Sequence, residues 1–280
     1  MSVRQISRRD FLKAAVAAGI VVSLPSVSFH IFAAEDGALP LNELMIQKLQ
    51  SLSLKDPVDF LFCADIHVPF DDRGTFKTII KRANELGVGF VLFGGDCVQV
   101  GNPANFNIFL REMKKFKMPV ICAIGNHDTA FDNYSDQREW EKRFGKPHFR
   151  FDVGGIRIIA LNNADFAMSE EDYGFLEESL KTDLRKIITM HRPVNYLNPL
   201  YTTPLRDETG RFRSLVEKGG VTAVLTGHEH HFGHYEINGI HYIVSGGAGG
   251  KLNTNTDNNY HHFILIKAGQ DTFKFKVENI

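Results

Sequence analysis

The stretch Val58-Asp-Phe-Leu-Phe-Cys-Ala-Asp65-Ile-His67 decides the fold, because a short apolar run ends here in two polar side chains. A run of this length and composition is typical of a strand that is buried on both faces of a sheet. Similar runs at residues 89–93 and 120–124 are followed by polar loops, and helical patterns lie at 75–86, 104–117 and 136–144. This alternation predicts parallel strands that are connected by helices.

The second half of the chain has a different pattern, because apolar and polar residues alternate in it. Residues 149–153 alternate in this way, and Gly154-Gly155 turns the chain into a run at 156–161. This predicts a hairpin with one solvated face. Further strands are predicted at 187–190, 222–225, 233–237, 240–244, 262–267 and 272–278, and helices at 39–53 and 211–217. Together the patterns predict an α/β fold of two packed sheets with helices outside them.

Composition limits the classes of partner that this chain can have. Its 280 residues are 43% apolar and 23% charged, and the formal net charge is -1. Such a chain can bury a full core, but it offers no global attraction to nucleic acid or to an anionic membrane. We therefore expect no nucleic-acid partner, and any anionic substrate must be held by local charge. The three cysteines are too few for a disulfide framework and are predicted to be small buried hydrophobes.

The N-terminus carries an arginine pair, Arg8-Arg9, within the order S-R-R-D-F-L-K and before an uncharged run at 14–24. This order resembles the twin-arginine export signal of bacteria. The resemblance implies the export machinery as a partner and a periplasmic or extracellular location. The uncharged run is too short for a comfortable membrane span, so no stable span is expected. The apolar character extends to Ala34, however, which leaves an uncleaved N-terminal anchor as an alternative.

Polar side chains that a fold does not need follow the predicted strands one after another. Asp65, Asp96 and Asn126 are separated by 31 and 30 residues, each the length of one strand-helix-strand unit. Open α/β sheets bind their ligands beyond the carboxyl ends of such strands. Each loop alone is weak evidence, because an isolated Asp or Asn is usually a turn residue. Together they predict one site, whose candidate residues are Asp65, His67, Asp96, Asn126, His127, Asp128, His191, His228 and His230.

From about residue 56 to the C-terminus, these motifs resemble the calcineurin-like metallophosphoesterase family, whose pattern is D-x-H, G-D, G-N-H-[D/E], H and G-H-x-H. The resemblance implies a four-layer α/β/β/α sandwich of two mixed sheets flanked by helices. It divides the chain into a signal peptide at 1–34, a linker with a helix at 35–54 and a catalytic domain at 55–280. It also implies two metal sites that share Asp96. Asp65, His67, Asp96 and His230 hold one metal, and Asp96, Asn126, His191 and His228 hold the other.

The resemblance also assigns two residues that do not bind metal. His127 lies beside the scissile ester, and Asp128 orients its ring. Carboxylate, imidazole and amide ligands without thiolate suit Mn, Fe or Zn, so two divalent or mixed-valence ions are expected. Such a pair can activate a bridging hydroxide for in-line attack on a phosphomonoester or a phosphodiester. The expected substrate is a small-molecule phosphate ester.

Gln99 departs from the patterns of two subfamilies. Purple acid phosphatases carry a tyrosine at this position, and protein Ser/Thr phosphatases carry a different motif there and at Asp128. The nearest pattern is that of bacterial class III cyclic-nucleotide and glycerophosphodiester phosphodiesterases, which usually show Asp or Asn in place of Gln99. Two alternatives stay open at this point. One is a non-catalytic metal-binding protein on the same fold, and the other is a hydrolase of another ester.

Overall fold

The computed structural model describes residues 39–71, 74–207 and 209–280. The predicted export signal at 1–34 lies outside these ranges. Helices α1 to α6 span Leu41–Ser51, Thr75–Leu86, Pro103–Met113, Arg138–Phe144, Glu170–Ser179 and Arg211–Lys218. Strands β1 to β11 span Val58–Cys63, Phe90–Phe93, Val120–Cys122, Phe149–Val153, Ile156–Ala160, Arg185–Thr189, Val221–Thr226, Phe232–Ile237, Ile240–Ser245, His262–Ala268 and Phe273–Asn279.

The strands form two mixed sheets, as the sequence predicts. The first sheet has the order β11-β10-β1-β2-β3, in which β1, β2 and β3 are parallel and β10 and β11 are antiparallel to their neighbours. The second sheet has the order β4-β5-β6-β7-β9-β8. Strands β5, β6, β7 and β9 are parallel, and the edge strands β4 and β8 are antiparallel to their neighbours. The parallel strands place their carboxyl ends side by side, which is where the candidate site residues follow in the sequence.

The apolar faces of the two sheets pack on each other and leave their outer faces to the helices. Phe60, Phe62 and Phe90 of the first sheet share one buried core with Ile158 and Ile187 of the second. Burial of each such side chain contributes roughly 1.5 to 3 kcal/mol. On the outer face of the first sheet, Phe76 of α2 and Phe109 of α3 pack around Phe93 of β2, with ring centroids 6.0 Å away. Leu176 of α5 and Phe212 of α6 cover the second sheet. The predicted four-layer sandwich is confirmed.

Helix α5 is absent from the sequence prediction. Its stretch Glu170–Ser179 is acidic, contains Gly174 and buries only a narrow face, so its apolar periodicity is weak. A capping box starts the helix: the hydroxyl of Ser169 accepts the N–H of Asp172 at 3.1 Å, and the Asp172 carboxylate accepts the N–H of Ser169 at 3.2 Å. Ser169-x-x-Asp172 was therefore the signal in the sequence that marks this helix.

The cysteines lie in the first sheet and the loop after β2. Cys63, Cys97 and Cys122 are free and buried, in agreement with the prediction that they are small core residues. Burial raises the pKa of Cys63 and Cys97, so both thiols stay protonated and unreactive at neutral pH.

Candidate metal centre

The nine predicted site residues converge at the carboxyl ends of the parallel strands. Asp65 and His67 follow β1, Asp96 follows β2, and Asn126 begins a short 3-10 turn after β3. The second sheet contributes the loops after β6 and β7, which carry His191, His228 and His230. Several contacts join the loops of the two sheets directly, and two of them involve the aspartates. Asp65 Oδ2 accepts the backbone N–H of His228 at 2.8 Å, and Asp96 Oδ2 lies 3.1 Å from Nε2 of His191.

The backbone at the cluster is unusual, because most of these residues are left-handed. Asp65, His67, Asp96, His228 and His230 have φ values between 50° and 72°. Residues with a side chain avoid this region at a cost of roughly 1 to 3 kcal/mol each, and they are concentrated at functional sites. Neighbouring glycines make the close packing feasible. A Cβ on Gly125 would lie 2.2 Å from Asp96 Oδ1, and one on Gly227 would lie 2.4 Å from Asp65 Oδ2.

The ligand atoms form two groups that lie next to each other, and a third group, His67, Asp96 and His127, overlaps both. In the first group, His230 Nε2 lies 3.3 Å from Asp65 Oδ1 and 3.1 Å from His67 Nε2. In the second, one ligand atom each of Asp96, His191 and His228 lies within 4.8 Å of the others. His67 Nε2 is 3.6 Å from Asp96 Oδ2, so Asp96 lies between the two groups. That Asp96 is shared by two metal ions stays a prediction.

Every histidine of the two groups has one ring nitrogen committed to an oxygen acceptor. In His67, His191 and His230 this contact directs the Nδ1 proton to the acceptor and leaves Nε2 available to a metal. In His228, Nε2 lies 2.8 Å from the Thr202 carbonyl and 2.8 Å from Nη1 of Arg192, an obligate donor, so the carbonyl alone does not set the tautomer of that ring. The acceptors are Gln99 Oε1 for His67 Nδ1 at 3.0 Å, Gly94 O for His191 Nδ1 at 3.0 Å, Lys251 O for His230 Nδ1 at 2.6 Å and Thr202 O for His228 Nε2 at 2.8 Å.

The electrostatics of the cluster fit bound cations. Oδ1 of Asp65 and Oδ1 of Asn126 are buried without a hydrogen bond of normal geometry in the described part of the chain. Leaving a buried acceptor unpaired costs roughly 1 to 3 kcal/mol, and a cation would satisfy both atoms. Burial lowers the pKa of His191, but the carboxylates of Asp96 and Asp65 outweigh it and raise that pKa to about 9. The same negative field that favours a proton on His191 favours a metal ion there.

His127 lies at the edge of the cluster with its ring held by backbone. Nδ1 donates to the carbonyl of Gln99 at 2.7 Å, and the His127 N–H donates to Asp96 Oδ1 at 2.8 Å. The His127 ring meets the His67 ring edge-on, with centroids 4.6 Å apart. Because Nδ1 is committed to the carbonyl, Nε2 is the nitrogen that can approach a ligand in the site.

The expectation that Asp128 orients the His127 ring is wrong. Oδ1 of Asp128 accepts the N–H of Val98 at 3.1 Å, and Oδ2 accepts the N–H of Gly125 at 2.9 Å. Asp128 is fully buried, and burial together with the nearby carboxylate of Asp96 raises its pKa well above the ordinary value. Its contacts tie the loop after β2 to the loop after β3. Asp128 therefore holds the backbone that presents Asp96 and Asn126.

Two further residues hold the loop after β6, and sequence reasoning missed their roles. Asn163 Oδ1 accepts the N–H groups of His191 and Arg192 at 3.0 and 3.1 Å. Arg192 is only 1% exposed, and its guanidinium donates to the Ala164 carbonyl and to Thr203. Its burial shows that Arg192 is not an exposed surface arginine. An Asn directly after a strand was the only available signal for Asn163.

The fold and this donor set define a metallophosphoesterase, and sequence comparison agrees. Residues 58–232 match the profile of the family described as calcineurin-like phosphoesterase. The chain belongs to the calcineurin-like phosphoesterase family, a family of metal-dependent phosphoric ester hydrolases. The resemblance that the motifs indicate is thereby confirmed, together with the expectation of divalent metal ions.

Similar proteins include a probable cyclic nucleotide phosphodiesterase of Fibrobacter succinogenes (strain ATCC 19169 / S85), at 25% identity over 141 residues. The match covers 46% of this chain and 55% of that protein, so it spans about half of the relative. Among solved structures, a purple acid phosphatase from yellow lupin superposes with a TM-score of 0.66 at 17% identity, over 81% of this chain and 52% of the other. A dimetal phosphatase from Danio rerio superposes with a TM-score of 0.59 at 15% identity, over 80% and 97%. These structures share the fold.

Export by the twin-arginine route is also confirmed. Residues 5–25 match the profile of twin-arginine translocation signals, which includes the Arg8-Arg9 pair. Across the described ranges, no helix combines the length and the apolar character that a membrane span requires. The boundaries of the predicted segments at 34 and 54 stay predictions.

Proposed function

We propose that this protein is an exported, dinuclear-metal phosphoesterase that hydrolyses a small-molecule phosphate ester by in-line attack of water. The observation that carries the proposal is the pair of adjacent ligand groups, Asp65–His67–His230 and Asp96–His191–His228, with Asp96 between them. The name of the Fibrobacter relative supports a phosphodiester as the first substrate to test.

The residues that would hold the metals follow from this grouping. Asp65, His67, Asp96 and His230 would hold one ion, and Asp96, Asn126, His191 and His228 the other. Two bound ions supply Lewis-acid charge for the phosphoryl oxygens and make water a stronger nucleophile at neutral pH. Mn, Fe and Zn suit these donors.

The protein's own groups complete the chemistry. His127 lies beside His67 and Asp96 and has Nε2 available, so it donates a proton or a hydrogen bond to the departing oxygen. Its backbone N–H donates to Asp96 Oδ1, and this contact fixes the position of the proposed proton donor relative to the aspartate. Asp128 contributes through the backbone that it clamps, and not through contact with the substrate.

The test is reconstitution of the metal-free protein with Mn²⁺, Fe²⁺ or Zn²⁺, followed by three assays. Bis(p-nitrophenyl) phosphate reports a diesterase, p-nitrophenyl phosphate a monoesterase, and p-nitrophenyl acetate a hydrolase of another ester. We expect about two ions per chain and turnover of a phosphate ester. Tight metal binding without turnover would point instead to a non-catalytic metal-binding protein. Turnover of the acetate alone would identify the third class.

A further inference from the structure

We infer that the cavity beside His127 binds the leaving group of the substrate, and that this group is a compact apolar ring. The inference rests on the proposed function. A cavity of about 100 Å³ opens next to the metal centre, and its lining includes Asn126, His127, Phe131, Asp132 and Tyr134. The lining thus combines a proposed metal ligand, the proposed proton donor, two aromatic side chains and one carboxylate.

The direction of the leaving group follows from His127. If this histidine serves the departing oxygen, the atoms attached to that oxygen extend away from the metals on the His127 side. The cavity lies on that side, because Asn126 and His127 both line it. The Gln99 carbonyl holds the His127 ring in place, so the opening of the cavity and the proton donor are fixed relative to each other.

The apolar character follows from Phe131. Its side chain is 75% exposed although it lines a cavity, and exposed apolar surface beside a polar site is typical of a ligand-binding position. Tyr134 lies against the ring of Phe166 in an edge-on contact with centroids 5.4 Å apart, so it forms a supported wall. A substrate ring that covers Phe131 removes apolar surface from water.

The size of the group follows from the volume. An enclosed cavity of roughly 150 Å³ admits benzene, so a cavity of about 100 Å³ with an open mouth accepts one ring that is partly covered. A long acyl chain or a fused ring system would exceed this volume and extend into solvent. The cavity therefore favours a substrate with a single ring next to the ester oxygen.

The test compares benzyl and ethyl esters, whose leaving alcohols have similar basicity, within the ester class that the metal-loaded protein turns over. We expect kcat/KM for the benzyl ester to exceed that for the ethyl ester by about tenfold or more. Phe131→Ala should bring this ratio close to one. Phe70→Ala is the matched control, because Phe70 is 71% exposed on the neighbouring loop after His67 but does not line the cavity. It should preserve the ratio.

The outcomes distinguish failure of this inference from failure of the proposed function. A benzyl-to-ethyl ratio near one in the unaltered protein, with normal turnover of nitrophenyl esters, overturns this inference and leaves the proposed function intact. An equal loss of the ratio in Phe70→Ala also overturns it, because a general apolar rim would then explain the preference. No turnover of any phosphate ester by metal-loaded protein overturns the proposed function itself.

Discussion

The two sheets contribute different chemistry to the metal centre. The loops of the first sheet supply both carboxylates of the ligand groups, Asp65 and Asp96, whereas the loops of the second sheet supply only imidazoles. Asp96 also lies between the groups and contacts histidines of both sheets, at 3.6 Å from His67 and 3.1 Å from His191. The difference teaches that the negative charge of the centre comes from one sheet. The other sheet adds imidazoles, each of which has one ring nitrogen close to a backbone carbonyl.

The largest expected effect comes from removing a negative charge from the loops of the first sheet. Asp96→Asn should lose most of both metals, because the carboxylate proposed to be shared would hold them together. His230→Ala, in a loop of the second sheet, should weaken metal binding at one site only. Excess metal should then restore part of the activity. Metal content after dialysis, measured by inductively coupled plasma mass spectrometry, checks both variants. Equal metal content and equal rescue in the two proteins would contradict a shared aspartate.

The next effect concerns His127, which is proposed to act on the substrate and not to bind metal. His127→Ala should retain both ions and lose roughly 10² to 10⁴-fold in kcat on an alkyl phosphate ester. The loss should be much smaller on a nitrophenyl ester, because the nitrophenolate leaves without a proton. Steady-state rates on an ester series of increasing leaving-group basicity measure this trend. A uniform loss across the series would show that His127 has another role.

A smaller effect should follow from Gln99, which serves two histidines through different atoms. Its side-chain oxygen accepts His67 Nδ1, and its backbone carbonyl accepts His127 Nδ1. Gln99→Leu should weaken metal binding roughly 10 to 100-fold at the site that contains His67. The leaving-group trend of His127 should persist, because the carbonyl remains.

Gln99→Glu is the matched control for this prediction. It keeps an oxygen acceptor for His67 Nδ1, so it should retain more metal affinity than Gln99→Leu. Competition with a metal chelator gives the affinities of the two sites. If both variants bind the two ions as tightly as the unaltered protein, the contact between Gln99 and His67 has no part in holding metal.

The two sheets and the position of the site could be predicted from the sequence. Buried parallel strands have apolar runs, and the loops that follow them carry the candidate ligands. All nine candidate residues lie at one end of the sheets for that reason. The roles of Asp128, Asn163 and Arg192 could not be predicted, because they depend on which backbone groups come within hydrogen-bond distance of each side chain in the folded chain. Helix α5 was missed because its burial is narrow and its periodicity weak. Spacing predicts which loops meet, but not which hydrogen bonds form between them.

The smallest expected effect concerns an imidazole and a carboxylate that pair outside the metal centre. His148 Nδ1 lies 3.0 Å from Asp172 Oδ1 at the start of α5. Burial alone would raise the pKa of Asp172, but hydrogen bonds from His148 and Ser169 outweigh it and hold the pKa below its ordinary value. This pair shows how much a contact between an imidazole and a carboxylate contributes to the free energy of unfolding where no metal binding is involved.

A carboxyl group with a lowered folded-state pKa stabilises the protein above its unfolded pKa, about 3.9 for Asp. The stabilisation is then lost as the pH falls through the folded-state value. At pH 7, Asp172→Asn should therefore reduce the free energy of unfolding by about 1 kcal/mol, the usual magnitude for a helix-start contact. The difference in the free energy of unfolding between the variant and the unaltered protein should stay constant down to about pH 4.5 and narrow only below about pH 4.

Urea unfolding at several pH values measures this gap. Glu178→Gln is the control, because Glu178 is an exposed carboxylate on the same helix. A gap that is absent at pH 7, or that closes between pH 7 and pH 5, would show that the Asp172 carboxylate is not what stabilises the start of α5.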